Sequence, residues 1–197
     1  MSAPSIACLK IVLEDVEPAV LRRVEVPLSI RLDRLHLAFQ EAMGWSNSHL
    51  YEIRAGGLPW GFVDPDDYAS RLDASKALLS DALLHSAELT YLYDFGDGWE
   101  HTITVERLVD AAADTLYPRL TEAIGRCPPE DVGGPWRYAE FRDAICNPRH
   151  KFHALFQDWI GEDFDPDAVD VAQLTKKVEG LAKRWSRRPG DKRTHRV

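Results

Sequence analysis

The 197-residue chain contains three cysteines, two methionines and no apolar run approaching the ~18 residues that a membrane span needs. A membrane protein of the helical type is therefore not expected. Cys8, Cys127 and Cys146 are odd in number and widely spaced, with no CxxC pair, so neither a disulfide framework nor a zinc knuckle is predicted. The N-terminal stretch "MSAPSIACLKIVLEDVEP" lacks the basic region and apolar block of a secretory signal, and a cytoplasmic location is the expectation. Also missing are GxSxG, a P-loop, a Rossmann glycine fingerprint and HExxH. No motif requires a cofactor.

What is present is ordinary for a folded protein: 45% hydrophobic and 28% charged residues. The length suits one domain, since domains commonly run to ~100–200 residues. Net charge is −8, but it is unevenly distributed. The segment "KRWSRRPGDKRTHRV" (183–197) carries seven Lys/Arg and one acid, leaving residues 1–182, with 17 basic and 31 acidic side chains, at −14. Residues 1–182 are expected to be one domain that repels polyanions. Residues 183–197 are expected to be a basic, solvated tail.

Two β-branched runs, "IACLKIVLE" and "VLRRVEVP", flank the turn-prone "DVEPA" and predict an N-terminal hairpin. In "SIRLDRLHLAFQEAMG", Leu32, Leu35, Phe39, Ala42 and Met43 fall at helical spacing, with Ser29 as N-cap and Gly44 at C′. Strands are predicted in "HLYEIRA" and "LPWGFV", then an acidic surface excursion "DPDDYASRLDAS" and a short helix in "KALLSDALL". "ELTYLYDF" and "WEHTITVERLV" alternate as two strands joined tightly through Gly96-Asp97-Gly98. The segment "YPRLTEAIGRCPPEDVGGP" reads as irregular, and helices follow in "WRYAEFRDAIC", "HKFHALFQDWIG" and "DVAQLTKKVEGLAKRW". The class is α+β: a mixed or antiparallel sheet from the N-terminal and central hairpins, one early helix and a C-terminal group of helices.

Chemistry-bearing residues concentrate at the hairpin tip "YDFGDGWEH", which holds Asp94, Asp97, Trp99, Glu100 and His101. Alternation puts Asp94 with Leu92, and Trp99 with His101 on one face of the returning strand. Its acid spacing is not that of a Ca²⁺ loop. "DFG" here lacks the nucleotide and catalytic loops that a kinase needs. Asp and Gly in such a tip satisfy turn amides and supply positive φ, which accounts for all but Asp94, Glu100 and His101. A second acidic loop, "CPPEDVGG", stiffens Glu130 and Asp131 ahead of a helix, where carboxylates also suit the helix dipole. His36, Trp45 and His49 surround one helix end as packing groups with polar edges, and Tyr138 lies in the next helical run. His150 and His153 stand i,i+3 and are weak metal candidates.

Taken in order, "LHLAFQEAMGWSNSHLYE", "YLYDFGDGWEHTITVE", "CPPEDVGG" and "EDFDPDAVD" resemble the Ri-plasmid ORF-three-like family, whose members are often labelled transposon resolvase (TnpR). The resemblance spans roughly residues 6 to 178. It implies an α+β domain and a mobile-element or plasmid accessory role, and carries no settled activity. Family members usually have Gly-Tyr where this chain has Arg137-Tyr138, and often an Asn near Thr175. The resolvase label fits the residues poorly. Ser2 and Ser5 sit in an apolar, arginine-free lead, and no His-x-x-Arg occurs to hold phosphate beside a tyrosine nucleophile. No recombinase activity is expected.

Three functions are compatible with these residues. The leading one is a non-catalytic binding module whose hairpin tip and PPED loop form one acidic surface for a basic protein segment. The second is a metal-assisted hydrolase in which Asp94, Glu100, His101, Glu130 and Asp131 converge. The third is nucleic-acid association through Lys183–Val197, with Trp185 available to stack.

Overall fold

The architecture follows from strands that alternate cleanly enough to leave one face of a sheet dry and the other wet. The structure is a computed structural model and describes residues 5–63 and 71–187. Strands β1 (Ser5–Leu13) and β2 (Val20–Pro27) form the expected antiparallel hairpin, in register from Ile6 opposite Pro27 to Leu13 opposite Val20. Helix α1 (Leu32–Met43) follows, then β3 (Tyr51–Ala55), β4 (Leu58–Gly61) and the two-residue β5 (Leu72–Asp73). A 3-10 turn (Ala74–Lys76) and α2 (Leu79–Leu83) lead into the central hairpin of β6 (Glu88–Tyr93) and β7 (Trp99–Asp110). The chain ends with β8 (Arg119–Ile124), α3 (Gly134–Cys146), α4 (His153–Ile160) and α5 (Val171–Ser186). The eight strands lie in the order β5-β4-β3-β6-β7-β1-β2-β8, antiparallel except for β4 beside β5. The class is α+β.

In β2, Val20, Arg22, Val24 and Val26 are buried while Leu21, Arg23 and Glu25 face the wetter side. That wetter side is laced by cross-strand ion pairs: Arg23 with Glu106 at 2.9 Å and with Glu122, and Arg119 with Glu25 at 3.1 Å. The dry side is roofed by α1, which packs on β2 and β4, and by α5, which packs on α1 and β8. All five helical positions read from the α1 sequence are buried, and Gly44 ends the helix in the left-handed region at φ 94°. Ser29 does not cap it. Arg31 occupies that position, because residues 27–30 form a turn tied to the start of α2 through Leu79 N to Ile30 O and Ser80 N to Leu28 O.

Three further boundaries differ from expectation. The segment around "RLTEAI" is a strand, since the free edge of β2 offers it a ladder from Leu21–Ile124 to Glu25–Arg119. The α4 helix begins at His153 rather than His150. Residues 183–186 belong to α5, where Trp185 packs against the core with Arg34 5.2 Å over its ring. Residues 188–197 of the basic tail and 64–70 of the acidic excursion lie outside the described residues. Among the described residues no helix is long and apolar enough to cross a membrane.

Arg22 is the one cation on the dry face of β2, and it is fully buried. Its Nε donates to Ala42 O at 2.7 Å, Nη1 to Leu21 O and Ile124 O, and Nη2 to Gly125 O at 3.0 Å. The guanidinium thus caps the end of α1 and fastens it to the β2–β8 edge, and burial draws its pKa below the ordinary value. Replacing Arg22 with Met leaves buried carbonyls unpaired and is expected to destabilise the fold by about 3 kcal/mol in urea unfolding. Arg22→Lys should lose nearly as much, because one ammonium cannot span the same carbonyls. Wild-type stability in the Met variant would show that this cap is dispensable.

Candidate functional site

Three loops meet at one end of the sheet: residues 44–50 between α1 and β3, the β6–β7 tip, and residues 127–133 before α3. At the tip, alternation ends at Tyr93, because Asp94 takes a left-handed φ of 56° and turns inward to 8% exposure. Its Oδ1 accepts from the Gly96 amide at 2.9 Å and the Asp97 amide at 3.3 Å, and its carbonyl accepts from Gly98 N at 2.7 Å. Asp97 serves a different segment. Its Oδ2 accepts from Gly133 N at 3.0 Å, at the start of α3, where the N-cap glycine has no side chain of its own. The hairpin tip therefore supplies α3 with a tertiary cap. Contact is close: a Cβ on Gly134 would lie 2.4 Å from Asp97 O.

Glu130 closes the convergence from the PPED side. Its carboxylate accepts from Ser46 N at 2.9 Å, from Ser46 Oγ, from Ser48 Oγ at 3.2 Å and from the Tyr93 hydroxyl at 2.5 Å. Burial opposes its ionisation, but the Ser46, Tyr93 and Ser48 donors outweigh burial and hold its pKa below the usual carboxylate value. The Tyr93 hydroxyl in turn accepts from the amides of Ser48 and His49. Trp45 stacks on Tyr93 at 4.9 Å and donates Nε1–H to Pro128 O at 2.9 Å, pinning the proline pair to the loop after α1.

Deeper in, His36 lies flat on Tyr51, with ring centroids 3.6 Å apart. Its Nε2 donates to Asn47 Oδ1 at 2.5 Å, and its Nδ1 accepts from the Tyr91 hydroxyl at 2.8 Å. Gln40 completes the ring, donating to Tyr91 Oη and accepting from Asn47 N. Burial pushes the His36 pKa down to about 4. His101 is fully enclosed, donates Nδ1–H to Tyr91 O at 3.1 Å, and is likewise pushed by burial to about 4. Trp99 and Tyr138 meet edge to face in the core. These four residues are enclosed packing and network groups.

The structure brings together Asp94, Asp131 and His49. His49 Nε2 lies 3.5 Å from Asp94 Oδ2 and 3.1 Å from Asp131 Oδ1. It does not bring Glu100 to them. Glu100 is exposed, and alternation along β7 sets it on the opposite face from Trp99 and His101. His150 and His153 are used locally: His150 Nδ1 accepts from Phe152 N, and His153 Nδ1 donates to Ala144 O at 2.8 Å. Sequence reading missed Trp136, which is 92% exposed. The signal was present, since α3 buries Gly134, Tyr138, Phe141 and Ala144, and Trp136 falls off that stripe. Beside it, Val12, Leu13, Glu14, Asp15, Glu17 and Pro135 help to line a groove of about 730 Å³.

Comparison with known proteins gives a consistent result. The sequence pattern of the family described as plasmid pRiA4b ORF-3-like protein matches residues 5–173. A protein of Sinorhizobium fredii (strain NBRC 101917 / NGR234), described as uncharacterized protein y4hQ, is 48% identical over 187 residues, covering 93% of this chain and 96% of that one. The crystal structure of the protein of unknown function MM3350 from Methanosarcina mazei Go1 is similar, with a TM-score of 0.79 at 30% identity over 90% of this chain and 99% of that one.

The buried histidines make stability depend on pH. Both have folded pKa values near 4, against an ordinary 6.5, so the unfolded chain binds more protons between those limits. Their contribution is complete above pH 6.5 and is lost as pH falls toward 4, by up to ~1.4 kcal/mol per pH unit per histidine. Urea midpoints measured from pH 7 to 4.5 should fall accordingly, and His36→Gln should flatten the slope. A flat profile in the parent protein would contradict neutral, buried rings.

Proposed function

We propose that this chain, which belongs to the plasmid pRiA4b ORF-3-like family, is a cytoplasmic binding module that captures a basic protein segment. The observation that carries this is Trp136, an almost wholly exposed indole beside the groove that contains Glu14, Asp15 and Glu17. Among the described residues no Lys or Arg lines that groove. The neighbouring cation on the helix, Arg137, is engaged by Glu140 at 2.7 Å. An indole face flanked by carboxylates suits a Lys or Arg side chain, through cation–π attraction and ion pairing together.

The hairpin tip and PPED loop enter this reading as the frame of the surface. Asp97 holds the start of α3, and so the indole two residues beyond Gly134, while Glu130 holds the PPED loop through the chain's own donors. The acids left for a partner are the exposed Asp15 and Glu17. Such a surface repels nucleic-acid phosphates. An accessory role in plasmids or mobile elements is compatible with it, the partner being a basic protein of the same element.

A Lys/Arg-rich peptide titrated against the protein should bind with an affinity that falls as salt rises. Trp136→Ala should weaken binding about tenfold without moving the thermal midpoint, because the ring is exposed. Asp15→Asn with Glu17→Gln should weaken it again and reduce the salt dependence. Equal binding by all variants, or a preference for a single-stranded oligonucleotide over the peptide, would refute this reading.

A further inference from the structure

We infer that His49, Asp94 and Asp131 form a site for one late first-row divalent cation, with Zn²⁺ the best fit. The three side chains come from three loops, and one ligating atom from each lies within 4.8 Å of the others. Four-coordinate Zn²⁺, with bonds of about 2.0–2.1 Å to imidazole and carboxylate, places its ligand atoms roughly 3.3 Å apart. The distances from His49 Nε2 to Asp94 Oδ2 and Asp131 Oδ1 are 3.5 and 3.1 Å.

Two further features point to a bound ion rather than to ion pairing. His49 Nε2 is shielded from solvent and has no hydrogen-bond partner, although both carboxylates are near it. Its approach to them fails the geometry of a donated hydrogen bond, and a nitrogen lone pair directed at a shared cation resolves that arrangement. Asp94 is 8% exposed, and its Oδ1 is held by the Gly96 and Asp97 amides, which leaves Oδ2 aimed at His49. A backbone-held carboxylate of this kind is the outer support that metal ligands generally have. His49 is supported similarly, with its amide donating to the Tyr93 hydroxyl and its ring edge-on to Tyr93 at 5.9 Å.

The donor set selects the ion class. One imidazole and two carboxylates are too few oxygens for Ca²⁺ and include a nitrogen that Mg²⁺ disfavours, whereas imidazole suits Zn²⁺ and its neighbours. Asp131, with 71% of its side chain exposed, lies on the open side, where a fourth position is left for water or for a ligand group. The ion would neutralise two carboxylates and clamp the hairpin tip, the PPED loop and the loop after α1. This site does not depend on the docking of a basic segment at Trp136.

The test is calorimetric titration of Zn²⁺ into the full chain carrying Cys146→Ser, because Cys146 is an exposed thiol that would compete for the metal. One equivalent of Zn²⁺ should bind and raise the melting temperature. Asp131→Asn should lower the affinity at least tenfold and His49→Gln should abolish binding, both removing the thermal shift, while Trp136→Ala leaves all three readouts unchanged. The absence of saturable one-to-one binding would overturn the site. So would unchanged affinity in Asp131→Asn, whose exposed side chain makes misfolding no explanation.

Discussion

Glu130 is a partly buried carboxylate whose charge is kept in place by four donors from two other segments. Burial alone raises its pKa, and the donors on Ser46, Tyr93 and Ser48 more than offset that. The dependence is mutual. Ser46 and Ser48 face it because Asn47, between them, adopts a left-handed φ of 60° and donates its amide to Gln40 Oε1. Tyr93 faces it because β6 lies under α1, where Trp45 stacks on the same ring. A polar network of this kind gains little when half formed, since each unmatched group carries its desolvation cost. The loops are therefore assembled together, and the positions of His49, Asp94 and Asp131 follow from that assembly.

The elements were legible where period and turn chemistry agreed. The N-terminal hairpin, α1 with its glycine terminus, the β6–β7 hairpin and the shared face of Trp99 and His101 all follow from alternation or helical spacing in the sequence. β8 was not legible, because a short strand between Pro118 and Gly125 exists only by pairing with β2, a long-range condition that local composition does not carry. Ser29 failed as a cap for a related reason: residues 27–30 are tied to α2, roughly fifty residues away in sequence, and the helix starts after that tie. The inward turn of Asp94 reflects a left-handed residue that alternation cannot foresee. The convergence of hairpin tip and PPED loop was framed by sequence as a question, and Asp97 meeting Gly133, with Tyr93 meeting Glu130, answers it.

That meeting also explains why the motifs of the family resemblance are so far apart in the chain and yet belong together. Residues 44–50, 93–98 and 127–133 are one contact system, and the fourth motif packs behind it. Arg126 donates to Asp165 O at 2.8 Å, and Arg142 holds both Pro166 O and Asp167. Pro128 and Pro129 join Trp45, Phe164 and Gln173 in lining a cavity of about 390 Å³, and Trp45 donates Nε1–H to Pro128 O. Each of the first three motifs contains residues whose partners lie in another of the three, so a change in one alters the fit of its neighbours.

An acidic protein has to accommodate its own repulsion, and apart from the carboxylates paired with Arg or Lys, two populations differ in what they face. Asp94, Asp97 and Glu130 are directed at amides and hydroxyls, where negative charge is stabilised by donors that loops and a helix start would otherwise leave unmatched. Asp15, Glu17 and Asp131 are directed outward. The first population gives the loops their shape, and it can do so only because those donors are fixed by the chain. Among the described residues the second meets no comparable set of donors, so a cation from outside would relieve the field it creates. The proposed cation at His49 would relieve Asp131, and the proposed basic side chain against Trp136 would relieve Asp15 and Glu17. The two proposed ligands thus answer the same electrostatic excess at two places, one built for a bare ion by two loop-held ligands and an exposed third, and one for a flexible side chain by an exposed ring.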